Sequence, residues 1–244
     1  MRARLTAIAM TTFFLAVPEL PVACAGSLQV APVSIEMKAP AGASILMLHN
    51  SGKAVVKAQI RVFRWSQTGG QEKLEPATDM VASPPMAAVV PGKDSTIRLV
   101  RMAKTPVMAE ETYRIIVDEL PDPARQKTSG LDLAFRYSIP VFVMPQQAGK
   151  PDLSWSVETR NGATLITAVN AGDRRIRIAD LMAVTAKGKQ VPIANGLAGY
   201  VLARSSMSWV APGSVQASGN APVLITAHGD QGAIHAEARA EAAQ

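Results

Sequence analysis

The chain has 244 residues, of which 48% are apolar, 18% charged and only 5% aromatic, and its formal net charge is +6. That is enough apolar material for one large core or for two domains of about 100 residues each, resting on aliphatic side chains rather than rings. The basic residues are scattered, with only "DRRIR" (173–177) clustered and no aromatics interleaved, which argues against nucleic acid as a partner.

Residues 1–25 read as a cleavable export signal. "MRAR" supplies a positive start, "LTAIAMTTFFLAV" a short apolar run, and Ala23-Cys24-Ala25 the small-x-small form of a signal peptidase site. The run falls short of the roughly 18–20 apolar residues that a membrane span needs. Arg2, Arg4 and Glu19 leave with the signal, so the mature chain carries +5. Cys24, the only cysteine, leaves too, and stability must come from packing without a disulfide. Lipidation of Cys24 is the lesser alternative, because Pro21 stands where a lipoprotein signal has a large apolar residue.

From residue 26 to 144 short strands alternate with turns. The expected strands are "SLQVAPVSIEM" (27–37), "SILMLHN" (44–50), "VVKAQIRVFRW" (55–65), "STIRLVRM" (95–102), "TYRIIVDEL" (112–120) and "LDLAFRYSIPVFV" (131–143). Between them lie "APAG", "NSGK", "TGGQ", "VPGKD" and "LPDPARQKTSG", rich in residues that preset or permit turn geometry. The pattern predicts an all-β protein of β-sandwich type. Residues 145–151, within "MPQQAGKPD", read as an interdomain linker. Five further strands over 152–236 predict a second β-sandwich domain, and 237–244 read as a flexible tail.

The chain offers no chemistry. Its three histidines, His49, His228 and His235, form no metal-ligand set, and no nucleophile motif or phosphate loop is present. The acid pairs Glu110-Glu111 and Asp118-Glu119 read as solvated strand ends rather than catalytic carboxylates. No enzyme, cofactor, metal or small-molecule substrate is expected.

In the last strand of the first domain the odd positions are all apolar: Leu131, Leu133, Phe135, Tyr137, Ile139, Val141 and Val143. Alternate side chains on a strand share a face. The residues alone favour a row facing the domain's own core, since that is the commoner fate of such rows. Four stretches then resemble a known family: "SLQVAPVSIEM", "ASPPMAAVVPGKDSTIRLVR" (82–101), "TYRIIVDELPDP" (112–123) and "LDLAFRYSIPVFVMP" (131–145). They resemble the periplasmic chaperones of chaperone–usher pili, and "RYSIPVF" (136–142) resembles the archaic branch in particular.

The resemblance implies two immunoglobulin-like domains in a boomerang arrangement, located in the periplasm. It implies binding of pilus subunits and their delivery to an outer-membrane usher. Leu131, Leu133, Phe135, Tyr137 and Ile139 would be the donor strand that fills the subunit's open groove, a known mode of strand addition. Each such side chain is worth about 1.5–3 kcal/mol when buried. So long an exposed row also invites self-association of the free protein.

The resemblance further implies two basic residues that hold the subunit's terminal carboxylate, yet the matching positions here are Pro32 and Pro140. A replacement is Arg114 with Arg136, which would oppose one another if Leu120 lies near Gly130 or Leu131. Arg101 and Lys104 are the reserves. Arg98 and Glu110 match a structural ion pair at the family's domain junction, whose third member falls near Ala217 and is missing. The alternative reading is a structural pilus subunit or sandwich-type surface adhesin. A subunit would need its own N-terminal donor extension, and little room is left ahead of "SLQVAPVSIEM".

Overall fold

The computed structural model describes residues 27–121, 134–147, 149–160, 162–184, 188–212, 215 and 223–240. All regular elements among them are strands. The N-terminal half contributes β1 (Leu28–Ala31), β2 (Ile35–Lys38), β3 (Ala43–Asn50), β4 (Val56–Thr68), β5 (Gln71–Pro76), β6 (Met80–Ser83), β7 (Met86–Val89), β8 (Asp94–Arg101), β9 (Glu111–Leu120) and β10 (Arg136–Met144). One sheet runs β1-β3-β8-β6 and the other β2-β10-β9-β4-β5, with β7 also on β4.

The expected opening strand is two strands. β1 pairs antiparallel with β3, and β2 pairs parallel with β10 in the opposite sheet. Pro32, which lacks an N–H, stands at the crossing and cannot continue the first ladder. The chain therefore laces the two sheets together at this edge. Between the sheets Leu28, Leu46, Leu48, Ile97 and Leu99 meet Tyr113, Ile115, Val117, Ile139, Val141 and Val143. Alternation puts these residues inside and their sequence neighbours outside, as a two-layer antiparallel sandwich requires.

The C-terminal half contributes β11 (Leu153–Arg160), β12 (Ala163–Asn170), β13 (Ile176–Val184), β14 (Gln190–Val201), β15 (Ser205–Ala211), β16 (Val223–Gly229) and β17 (Gly232–Ala240). They follow the order β14-β13-β16-β17-β11-β12-β15 around a core that includes Trp155, Val157, Ile166, Ile178, Leu181 and Ile225. The tail expected from residue 237 is instead the end of β17 as far as Ala240. It pairs antiparallel with β16 and, at Arg239 and Ala240, parallel with β11. The physical reason is that Ile234, Ala236 and Ala238 present an apolar face that packs on this core.

The halves meet at Trp65, Phe142 and Leu202, with Tyr200 packed against them. Trp65 and Tyr200 meet edge to face at 5.7 Å between ring centroids. Gln67 bridges the same seam, donating to the Tyr200 carbonyl at 2.7 Å and accepting from the Leu202 N–H at 2.9 Å. At the β4–β5 turn the Gly70 carbonyl accepts from the Ser208 N–H at 2.9 Å. A Cβ at Gly70 would fall 2.2 Å from the Ser208 hydroxyl oxygen, so only glycine permits this approach.

Leu48 is fully enclosed by the N-terminal core. Leu48→Ala is expected to destabilise that domain by about 2–5 kcal/mol, read from the shift of the denaturant midpoint at unchanged slope.

Candidate functional site

β10 has different neighbours along its two edges. On one side it pairs with β9 from Arg136 to Val143. On the other it pairs with β2 only from Val141 to Met144. From Arg136 to Pro140 that second edge carries no strand among the described residues. The Glu119 N–H donates to the Phe135 carbonyl at 2.9 Å, so β9 supports the chain one residue beyond β10 itself. A strand edge held firmly on one side and open on the other is a template for a further strand.

The odd row divides along this edge. Ile139 is only 4% exposed and, with Val141 and Val143, belongs to the domain's own core. Tyr137 packs partly against that core, and its hydroxyl donates to the Leu28 carbonyl. Phe135 is half-buried. Leu131 and Leu133 lie outside the described residues. The expectation of one uniform lent face from Leu131 to Ile139 is therefore corrected at its inner end. Closing the sandwich beneath β1 and β3 consumes Ile139, and Tyr137 marks the boundary.

The even side of β10 faces the second domain's side of the sheet, and its register decides the expected arginine pair. Arg136 lies opposite Asp118, and Pro140 lies opposite Arg114. The two arginines are four positions apart along the ladder, about 13 Å, and do not oppose one another. Arg136 instead hydrogen-bonds Asp118, which Arg61 also holds at 2.6 Å. Burial alone would raise the Asp118 carboxyl, but the hydrogen bonds from Arg136 and Arg61 outweigh it and hold it below its ordinary value. The like-charge problem that motivated the pair is thus solved locally by an acid.

Arg114 stands between Phe63 on β4 and Pro140 on β10. Its guanidinium lies 3.8 Å from the Trp65 ring centroid, and its one ion-pair partner among the described residues, Glu72, is distant at 3.5 Å. Burial pulls its pKa down from the ordinary value against the opposing pull of Glu72. Arg114 therefore presents a stacked, weakly countered cation directly beside Pro140. The reserve Arg101 is spent internally: it grips Glu111 with two bonds of 2.7 Å and also holds the carbonyls of Ala103 and Thr105. Lys104 is exposed on that loop.

The expected Arg98–Glu110 pair is also corrected. Arg98 is exposed on β8, in the opposite sheet. Glu110 binds Arg175 of the second domain, through the backbone N–H at 3.0 Å and the guanidinium at 2.5 Å. Arg175 also bonds Glu36 and lies 3.3 Å from the Phe142 ring centroid. The side chains of Glu110 and Arg175 are 1% and 6% exposed. Ala217, matched to the family's third member, lies outside the described residues. Here the second domain supplies the cation rather than an acid. The "DRRIR" cluster was the available signal, but in one dimension it reads as a solvated basic patch.

The chain is thus two β-sandwiches, the first ending in a strand whose outer edge is half open among the described residues. Residues 27–149 match the family described as pili and flagellar-assembly chaperone, PapD N-terminal domain, and the chain belongs to that family. Family membership sets aside the alternative of a structural pilus subunit or adhesin. Among solved structures, the chain is similar to one in the CsuC–CsuE chaperone–tip adhesion subunit pre-assembly complex from the archaic chaperone–usher Csu pili of Acinetobacter baumannii. The identity is 24% over 89% of this chain and 100% of that one, with a TM-score of 0.69. It is also similar to the YadV chaperone, at 22% identity over 87% and 99% with a TM-score of 0.61. A chain of the Salmonella enterica SafA pilin–SafB chaperone complex matches at 18% over 88% and 95%, with a TM-score of 0.58. No curated protein matches the sequence.

Burial raises the Glu110 carboxyl above its ordinary value, against the pull of Arg175. A raised folded pKa means that the folded state holds the proton more tightly. The stabilisation from that proton is fully present below the unfolded value, about 4.3, and is lost as pH rises through the folded value. Arg175→Met leaves Glu110 buried without its counter-charge and is expected to cost about 3–5 kcal/mol at neutral pH. Acidification towards pH 4 should recover part of that loss, as should adding Glu110→Gln, both read by chemical denaturation.

Proposed function

We propose that this protein is a periplasmic, non-enzymatic chaperone of the archaic type. It captures pilus subunits by adding the segment that leads into β10 to an incomplete subunit sheet, then delivers them to an outer-membrane usher. The observation that carries the reading is the open edge of β10 from Arg136 to Pro140, on a strand that β9 holds rigid from the other side. The complexes of the CsuC and SafB chaperones with subunits are the matching precedent among its structural relatives. The "RYSIPVF" stretch (136–142), with the similarity to a chain from an archaic chaperone–usher complex, favours the archaic branch.

The donor row in this reading is Leu131, Leu133 and Phe135, with Tyr137 at its inner limit. Ile139 is a core residue of the chaperone. Arg114 is the anchor for the subunit's terminal carboxylate, since its stacked guanidinium lies beside Pro140 and its own acid is weakly engaged. Two parallel bonds from such a fork suit a carboxylate. Arg136, neutralised by Asp118, supports strand pairing instead. Folding of the subunit drives the cycle, so neither nucleotide nor cofactor is required.

Co-expression with a candidate pilin, followed by isolation of a one-to-one periplasmic complex, tests the reading. Leu133→Asp and Phe135→Asp should abolish subunit recovery while the free chaperone keeps its unfolding midpoint. Ile139→Asp should instead lower that midpoint. Normal co-purification with Phe135→Asp would overturn the donor assignment. Arg114→Ala should weaken capture by about 2–5 kcal/mol, whereas Arg136→Ala should leave it close to wild type, measured by competition between tagged variants for limiting subunit.

A further inference from the structure

The outer face of the β1-β3-β8-β6 sheet breaks the usual division of a sandwich. Antiparallel sheets that face water carry polar side chains there. Here the outward positions include Ala31, Ala43, Ile45, Met47, Val81 and Val100. Ile45 is 55% exposed, and Met47 and Val81 are each 41% exposed. The register makes them one surface. Ala31 pairs with Met47, Ala43 with Val100, and Val100 with Val81. Among the described residues no other element covers this face, and the second domain meets the opposite sheet.

One residue in the middle of it is charged. Arg98 lies between Ile45 and Ser83 in register, and it makes no ion pair or hydrogen bond among the described residues. An arginine set in apolar surroundings with no acid of its own is a binding anchor awaiting a counter-charge. The acid that fits is on the same strand. Asp94 also points outward, four positions from Arg98, and engages His49 through only one carboxylate oxygen, at 2.7 Å.

We infer that this sheet face is a docking surface for a second copy of the chain, related by a two-fold axis that passes over Thr96. The axis lies between the two sheets and across the strands, so β8 of one copy runs antiparallel over β8 of the other. Arg98 of each copy then stands over Asp94 of its mate, and Met47, the ladder partner of Thr96, stands over Met47. Stacked sheets lie about 10 Å apart, a gap that an extended arginine and an aspartate together span. The surface is self-complementary in charge, with Met47 meeting Met47 beside the axis, as an isologous interface requires. The face measures roughly 19 Å by 25 Å from strand spacing and rise, which puts the contact at the small end of specific interfaces and makes the dimer weak. This inference stands independently of the subunit-binding reading, because it uses the sheet that does not contain β10.

Sedimentation equilibrium of the purified mature protein without subunit tests it. The expected result is a monomer–dimer equilibrium in the micromolar range. Arg98→Asp and Asp94→Arg should each weaken it at least about tenfold, and the combined exchange should restore it. Phe135→Asp should leave it unchanged, which separates this face from association through the donor strand. A monomer at every concentration would overturn the inference. So would a dimer that persists in both single variants or disappears in Phe135→Asp. Both charge variants alter exposed side chains, and an unchanged thermal midpoint will establish that they fold.

Discussion

β10 is held on both edges only from Val141 to Val143, and the rest of the N-terminal domain is arranged around that constraint. The inner half of the strand must finish a core, so Ile139, Val141 and Val143 point between the sheets. The outer half must stay straight without a second neighbour. β9 gives it a continuous ladder, the Tyr137 hydroxyl ties it to Leu28, and the Arg61–Asp118–Arg136 cluster clamps the far end. An edge strand stiffened in this way pays little further ordering entropy when a partner strand is added. Pro140 removes a donor where β2's pairing stops, which confines the open edge to the segment that precedes it.

The same strand reaches the domain junction through Phe142. Its ring packs on Trp65 and Tyr200 and lies beneath the guanidinium of Arg175, which in turn holds Glu110 and Glu36. Strands β2 and β10, which form the open edge's lower border, are thereby joined to the second domain through one buried cation. A buried ion pair adds little net stability compared with an apolar contact, but its geometry is exacting. Its contribution here is orientation. With the Gln67 bridge and the close approach at Gly70, it sets how the second domain stands against the sheet that carries Arg114.

The sequence was most legible where period and turn chemistry agree. The strand pattern of the first domain follows from period-two alternation and from the turn residues between the runs. It was least legible in register. Arg114 and Arg136 were expected side by side, and a four-residue displacement separates them and gives Arg136 to Asp118. Length of a loop does not determine which residues meet across it. Arg175 was hidden for a different reason. A basic run looks solvated in one dimension, and only the approach of the second domain turns one of its members inward, onto a carboxylate 65 positions away.

By itself the sequence determined an all-β chain of two sandwiches, a strand with an apolar row, and prolines at positions 32 and 140. These are local properties, written in period-two alternation, in turn residues and in residue identity. Only the tertiary structure decided where the apolar row stops belonging to the protein's own core, which arginine stands beside Pro140, and which cation crosses to Glu110. Those depend on ladder register and on the packing of one domain against another, where free energies are shared among residues far apart in the chain.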